Sequence, residues 1–296
     1  MIASPPLHRR GLITAGAASL FATSRSLAAA ADPQGAVGAL AAIEAEVGGR
    51  VGVAAWDTGS GAWVKRRADE RFAMCSAFKL FLAATVLDMI DHGALTAGRR
   101  VPFSRADLLP HSPTTAVHVD EGALSVSDLC AAAVEESDNG AANLLLQLVG
   151  GPAALTRHLR RLGDPTTRLD RIELALNTNL PGDVRDTTSP TAYVRTMRRV
   201  LLGDGLSAAS RRQLEAWMID CRTGLDRLRA GLPSDWKAGD KTGAGERGAV
   251  NDVAILRPPG RPPILVAVFL SGSSRPVEAL SAAHARIGRA VVAAFV

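Results

Sequence analysis

The placement of strand signals constrains the fold most. Two alternating apolar runs, 50–56 and 62–66, flank Asp57-Thr58-Gly59-Ser60-Gly61, a hairpin signature. Strand patterns then stop and return only at 250–256 and 264–270, around the proline-rich turn 257–263. The intervening signals are almost all helical: 76–92, 127–136, 141–149, 152–162, 190–202 and 207–220. Ser189 is placed to cap the 190–202 helix, with Pro190 at its first position. Further helical patterns lie at 37–47 and 277–294, outside the strands. Strands from both termini with helices between them imply an α+β fold, in which an antiparallel sheet carries an inserted helical domain. The expected division is 32–66 with 221–296 as the sheet domain and 67–220 as the all-helical one. A cleft between them is the natural place for a site.

One segment of the helical part breaks the pattern. Residues 163–189 hold two prolines and four aspartates with no sustained period, too long for an ordinary connection in a compact domain. Such a loop is often functional.

The N-terminus reads as an export signal. Arg9-Arg10 precede a weakly apolar stretch, 11–21, and a small-residue end, Ala28 to Ala31. The paired arginines suggest the twin-arginine route and a periplasmic or secreted product. This run is too short for a membrane anchor, and Arg25 interrupts it. No other segment is long and apolar enough to span a bilayer, so no membrane span is expected. The formal charge of +5 includes Arg9, Arg10 and Arg25 with no acid before Asp32, and falls to about +2 after cleavage there. That argues against a nucleic-acid partner, and the doublets Arg198-Arg199 and Arg211-Arg212 are expected on solvated helix faces.

The chemistry is concentrated at Ser76 and Lys79, at the head of the first helix of the inserted part. Residues three apart share a helix face, so the hydroxyl and the amine are expected within hydrogen-bonding reach. At the first turn, unpaired N–H groups and the helix dipole stabilise an oxyanion and lower the lysine pKa. Lysine is rare here: of 34 basic residues only Lys65, Lys79, Lys237 and Lys241 are lysines. Arginine stays protonated, whereas a desolvated lysine can act as a base. Ser234-Asp235-Trp236-Lys237 repeats the spacing but follows Pro233 with no apolar helix behind it, and is expected to be a surface turn.

Cys75, Cys130 and Cys221 cannot all pair, none forms C-x-x-C, and the six histidines show no ligand spacing. All three thiols are expected as small buried residues, with no metal and no cofactor. Gly243-Ala244-Gly245-Glu246-Arg247-Gly248 fits the dinucleotide pattern G-x-G-x-x-G, but a strand and not a helix follows it, which rejects that reading.

Three more clusters fall where the cleft is expected: Ser137-Asp138-Asn139 between two helices, Glu173 with Asn177 in the long loop, and Lys241-Thr242-Gly243 ahead of a strand. Taken with Ser76-Ala77-Phe78-Lys79, they make the chain resemble the class A serine β-lactamases over most of its mature length. The resemblance implies a five-stranded sheet flanked by the terminal helices, and a monomer that takes β-lactam substrates and inhibitors. Penicillin-binding transpeptidases share three of the motifs but lack the carboxylate matched by Glu173. They are the first alternative, and a non-catalytic exported binding protein of the same fold is the second.

The resemblance assigns roles residue by residue. Ser76 is the nucleophile, with Lys79, or Glu173 through a water, as the base. The backbone N–H groups of Ser76 and Ala244 form the oxyanion hole. Ser137, aided by Lys241, protonates the departing ring nitrogen, and Glu173 with Asn177 holds the deacylating water. Lys241, Thr242 and Gly243 suit the substrate carboxylate, and Asn139 its side-chain amide. Arg227 matches a carboxylate-binding arginine of some members, with Val250 at the alternative position, against a reading as an exposed helix-end residue. His111 falls near an aromatic gate residue, with one insertion in the alignment. Arg171 and Asp186 match an ion pair that closes the long loop. Some carbapenem-hydrolysing members bridge the cysteine before the nucleophile to one after the lysine-threonine-glycine motif. Here Gly245 stands at that second position, which disfavours carbapenemase activity of that type.

Overall fold

The computed structural model describes residues 1–4 and 32–296. The expected export signal lies almost wholly outside the described residues.

Helix α1 (Pro33–Val47) leads into the hairpin β1 (Arg50–Asp57) and β2 (Trp63–Arg66). The hairpin turn forms as its sequence requires, with Gly61 N donating to Asp57 O at 2.9 Å. Helix α2 (Phe78–Asp91) follows, then α3 (Pro113–Val117), α4 (Val126–Glu135), α5 (Asn139–Val149), α6 (Pro152–Arg161), α7 (Pro190–Leu201) and α8 (Ala208–Ile219). Two short ladders tie the helical part together, β3 (Phe72–Ala73) with β6 (Thr187–Thr188) and β4 (Arg100–Pro102) with β5 (Ala123–Ser125). The chain closes with β7 (Lys237–Ala244), β8 (Val250–Arg257), β9 (Ile264–Ser271) and α9 (Val277–Phe295).

The expected antiparallel sheet has five strands in the order β2-β1-β9-β8-β7. Its central strands are buried on both faces, and their period of two deals alternate side chains to two cores. From β9, Leu265, Ala267 and Phe269 join the core under the helices. Ile264, Val266, Val268 and Leu270 join the core under α1 and α9. Antiparallel strands covered on both faces read as near-continuous apolar runs, as β8 and β9 do.

Two sequence expectations need correction. Lys241-Thr242-Gly243 precedes β8 as expected, but it also lies within a strand of its own, β7, which pairs with β8 along its whole length. Lys237, expected in a turn, opens that strand, while Ser234 and Asp235 do form an exposed turn before it. The strand lacked a signal because its buried residues are polar: Asp240 sits inside against the Arg229 guanidinium. The three cysteines are buried, as expected, and all three thiols are free.

Candidate active site

Ser76 lies in a 3-10 turn, Cys75–Ala77, immediately ahead of α2 and not in the first turn of the helix itself. Cys75 adopts φ 46°, turning the chain so that the serine faces outward while its neighbours are buried. Three contacts fix this turn. Asn251 of β8 donates through Nδ2 to the carbonyls of Ala73 and Met74, both at 2.9 Å. The Tyr193 hydroxyl of α7 donates to Ala77 O at 2.8 Å. Gly243 allows β7 to close on the turn, since a Cβ there would lie 2.7 Å from Met74 O.

Lys79, one turn on, is fully buried. Its Nζ donates to Ser137 O at 2.7 Å and to Asn139 Oδ1 at 2.6 Å, and lies 3.5 Å from Ser137 Oγ. The direct Ser76–Lys79 hydrogen bond expected from their spacing is replaced by a shared carboxylate. Ser76 Oγ donates to Glu173 Oε1 at 3.1 Å, and Lys79 Nζ lies 3.1 Å from the same oxygen. Burial pushes the Lys79 pKa below the usual lysine value, and the Glu173 charge opposes that fall.

Ser137, with φ 58°, sits where α4 ends and α5 begins. Asp138 caps α5 by accepting from Ala141 N at 2.8 Å. It also accepts from Thr115 N at 2.8 Å, so the turn cannot rotate freely. Asn139 is engaged at both ends, with its Nδ2 on Pro110 O at 2.8 Å and its Oδ1 on Lys79.

Glu173 is delivered by the long loop. Arg171 Nε reaches Asp186 Oδ2 at 2.5 Å, and the other Asp186 oxygen accepts from Asp170 N and Arg171 N at 2.7 and 2.9 Å. The ion pair implied by the resemblance therefore forms at the base of the loop. Asn143 of α5 grips the Glu173 backbone from both sides, accepting from Glu173 N at 3.0 Å and donating to Glu173 O at 2.9 Å. Asn177 Nδ2 donates to Glu173 Oε2 at 2.7 Å. Asn177 Oδ1 is buried with no partner among the described residues, which leaves an acceptor beside the carboxylate.

These groups face a cleft of about 380 Å³ lined by Ser76, Ser137, Asn139, Asn177, Thr242, Gly243 and Ala244, with Arg227 and His111 at its margins. Lys241 is buried behind it, with Nζ on Thr242 O at 2.9 Å. Burial, and the Lys79 and Arg227 charges nearby, lower the Lys241 pKa to about 8. Thr242 Oγ1 shares a 2.5 Å hydrogen bond with Thr223 Oγ1. Arg227 is not an exposed helix-end residue: it is buried, donating to Asn251 O at 2.6 Å and Gly243 O at 3.1 Å. His111 has φ 58° and its Nε2 lies 2.9 Å from Glu136 O. Gly245 touches Cys75, and a Cβ there would lie 2.6 Å from the thiol sulfur.

Sequence reading missed Asn143, Asn251 and Tyr193. Only Asn251 carried a signal, as half of a polar Asn251-Asp252 pair inside an apolar strand.

Comparison with known proteins agrees with the fold and cleft. A family model described as the β-lactamase enzyme family matches residues 36–295. β-Lactamase AST-1 of Nocardia asteroides is 45% identical over 274 residues, covering 92% of this chain and 86% of that protein. Carbapenem-hydrolysing β-lactamase KPC of Klebsiella oxytoca is 46% identical over 251 residues, covering 83% and 85%. An ancestral (GNCA) class A β-lactamase structure superposes with TM-score 0.87 at 52% identity, over 88% of this chain and 100% of that one. A five-stranded antiparallel sheet with this helical cover is the fold of the class A enzymes. The chain belongs to the β-lactamase enzyme family. It is an enzyme, and its activity is the hydrolysis of β-lactams.

Proposed function

We propose that penicillins and cephalosporins are opened here through an ester on Ser76 and released by a water that Glu173 activates. The observation that carries this reading is the single Glu173 oxygen within 3.1 Å of both the Ser76 hydroxyl and the Lys79 ammonium. A serine hydroxyl attacks an amide carbonyl only if a base removes its proton, and Glu173 Oε1 is within reach of that proton. Oγ bonds to the carbonyl carbon, and the oxyanion is held by the backbone N–H groups of Ser76 and Ala244. Each such donor is worth roughly 10²–10³ in rate. The C–N bond then breaks, and the ring nitrogen takes a proton from Ser137, which Lys79 Nζ resupplies across 3.5 Å.

In the second half, Glu173 first passes the proton taken from Ser76 to the now neutral Lys79 Nζ, 3.1 Å away, and a water between the restored carboxylate and Asn177 Oδ1 then gives its proton to Glu173 and attacks the ester carbonyl. The C–Oγ bond breaks, and Ser76 Oγ takes that proton from Glu173 Oε1, 3.1 Å away. Lys241 with Thr242 receives the substrate carboxylate, and the buried Arg227 adds positive charge on the same side. Asn139 spends both ends of its amide on Lys79 and Pro110, which supports a role in placing the lysine.

Arg9-Arg10 and the small residues before Asp32 support export by the twin-arginine route. Among the described residues no helix is long and apolar enough to cross a membrane. The test of the nucleophile is Ser76→Ala, assayed with benzylpenicillin and a chromogenic cephalosporin. Turnover should fall at least ~10³-fold with the fold intact, whereas retained turnover would place the nucleophile elsewhere.

A further inference from the structure

A second hollow, about 530 Å³, lies behind the long loop on the side away from Ser76, between the loop and the sheet. Five arginines line it: Arg50, Arg71 and Arg247 from the body, Arg171 and Arg185 from the loop. Only two lining carboxylates, Glu70 and Asp183, oppose them. Asp183 is spent on the loop itself, where Arg185 closes on it through Nε and Nη2 at 3.0 and 2.8 Å.

The three body-side arginines are bonded differently. Arg50 uses Nη1 alone, on Glu70 Oε2 at 3.0 Å and Arg71 O at 3.2 Å. Arg71 also uses Nη1 alone, on Thr166 O at 2.9 Å and Thr187 Oγ1 at 3.0 Å. Arg247 repeats this, with Nη1 on Thr178 O and Glu246 Oε2, both at 3.1 Å. Each guanidinium therefore keeps its Nε and Nη2 donors without an acceptor among the described residues. Such paired donors match the two oxygens of a carboxylate or phosphate. Three of them around one concave hollow with a surplus of positive charge focus a field that attracts anions.

We propose that this hollow is a binding site for a small multivalent oxyanion, a polycarboxylate or phosphate, whose occupation fastens the long loop to the sheet. The surplus charge is the body's, and the loop adds the Arg185 Nη1 donor, which has no acceptor among the described residues, so a bound anion bridges the two. Direct polar ties already join loop and body here, from Arg71 to Thr166 O and Thr187 Oγ1, from Arg247 to Thr178 O, from Glu246 N to Asn177 O, and between Asn179 and Ser271 Oγ, and a bound anion adds to them. Neither the site nor its effect depends on how Ser76 reacts.

Calorimetric titration with citrate, and separately with inorganic phosphate, tests the site at an ionic strength held constant with sodium chloride. One saturable site per chain is expected, and amide exchange across 171–187 should slow when it fills. Arg50→Gln and Arg247→Gln should each weaken binding about tenfold, the usual loss of a hydrogen bond to a charged group. Both variants should keep the parent turnover of benzylpenicillin in the absence of anion, which shows that they are folded. The stronger of the two probes identifies the ligand as carboxylate or phosphate. Heats equal to dilution for both anions, or variants that bind as tightly as the parent, would overturn the proposal.

Discussion

Lys79 and Glu173 meet with no solvent-exposed side-chain surface on either, Nζ lying 3.1 Å from Oε1. A buried pair of this kind is costly to break and weak evidence for stability, so its value is chemical. It sets a cation and an anion beside Ser76, with Asn139 and Ser137 O holding the cation from the other side.

Lys241 should set the alkaline limb of activity. Its pKa of about 8 means that its charge, and its attraction for a substrate carboxylate, fade as pH rises through that value. kcat/KM for benzylpenicillin is expected to fall tenfold per pH unit above about pH 8. Lys241→Arg should carry the limb to higher pH, because a guanidinium stays charged. A limb that does not move would assign it to another group.

Asn143→Ala removes both hydrogen bonds that grip the Glu173 backbone. A cost of about 1–3 kcal/mol in stability is expected. kcat should fall more than kcat/KM, since a loosened Glu173 harms release of the ester most. Equal losses in both parameters would show that Asn143 serves stability alone.

His284 should make the protein acid-sensitive. It is fully buried in α9, with Nδ1 2.8 Å from Leu280 O and Nε2 without a partner among the described residues. Burial, with the Arg227 charge, lowers its pKa to about 3 from an ordinary 6.5. Between those values the unfolded chain binds a proton that the folded chain refuses, so stability drops as pH falls from 6.5 towards 3. This adds at most about 1.4 kcal/mol per pH unit to the slope. Denaturant titrations should show a shallower slope in His284→Leu within that window and parallel curves above it.

The sequence announced parts of this account and hid others for physical reasons. The apolar helices were legible because one-sided burial imposes a period, and β8 and β9 because two-sided burial makes continuous apolar runs. Strand β7 was not legible: its interior holds Asp240 and Lys241, whose burial depends on partners elsewhere in the chain, such as Arg229. Ser76 and Lys79 stood out by their spacing on one helix, though their meeting point proved to be Glu173. Asn143 and Asn251 matter only because α5 and β8 carry them against a loop and a turn, a relation that no local pattern encodes.

In the proposed mechanism Glu173 frees the ester formed on Ser76. Intact-protein mass spectrometry of Glu173→Ala mixed with benzylpenicillin tests it most directly. A long-lived mass increase equal to the whole substrate is expected, formed with Lys79, whose pKa burial lowers, as the base that remains, and mapped to the peptide containing Ser76, where the parent enzyme shows none at steady state. Free Glu173→Ala protein with hydrolysed penicillin in solution would contradict it.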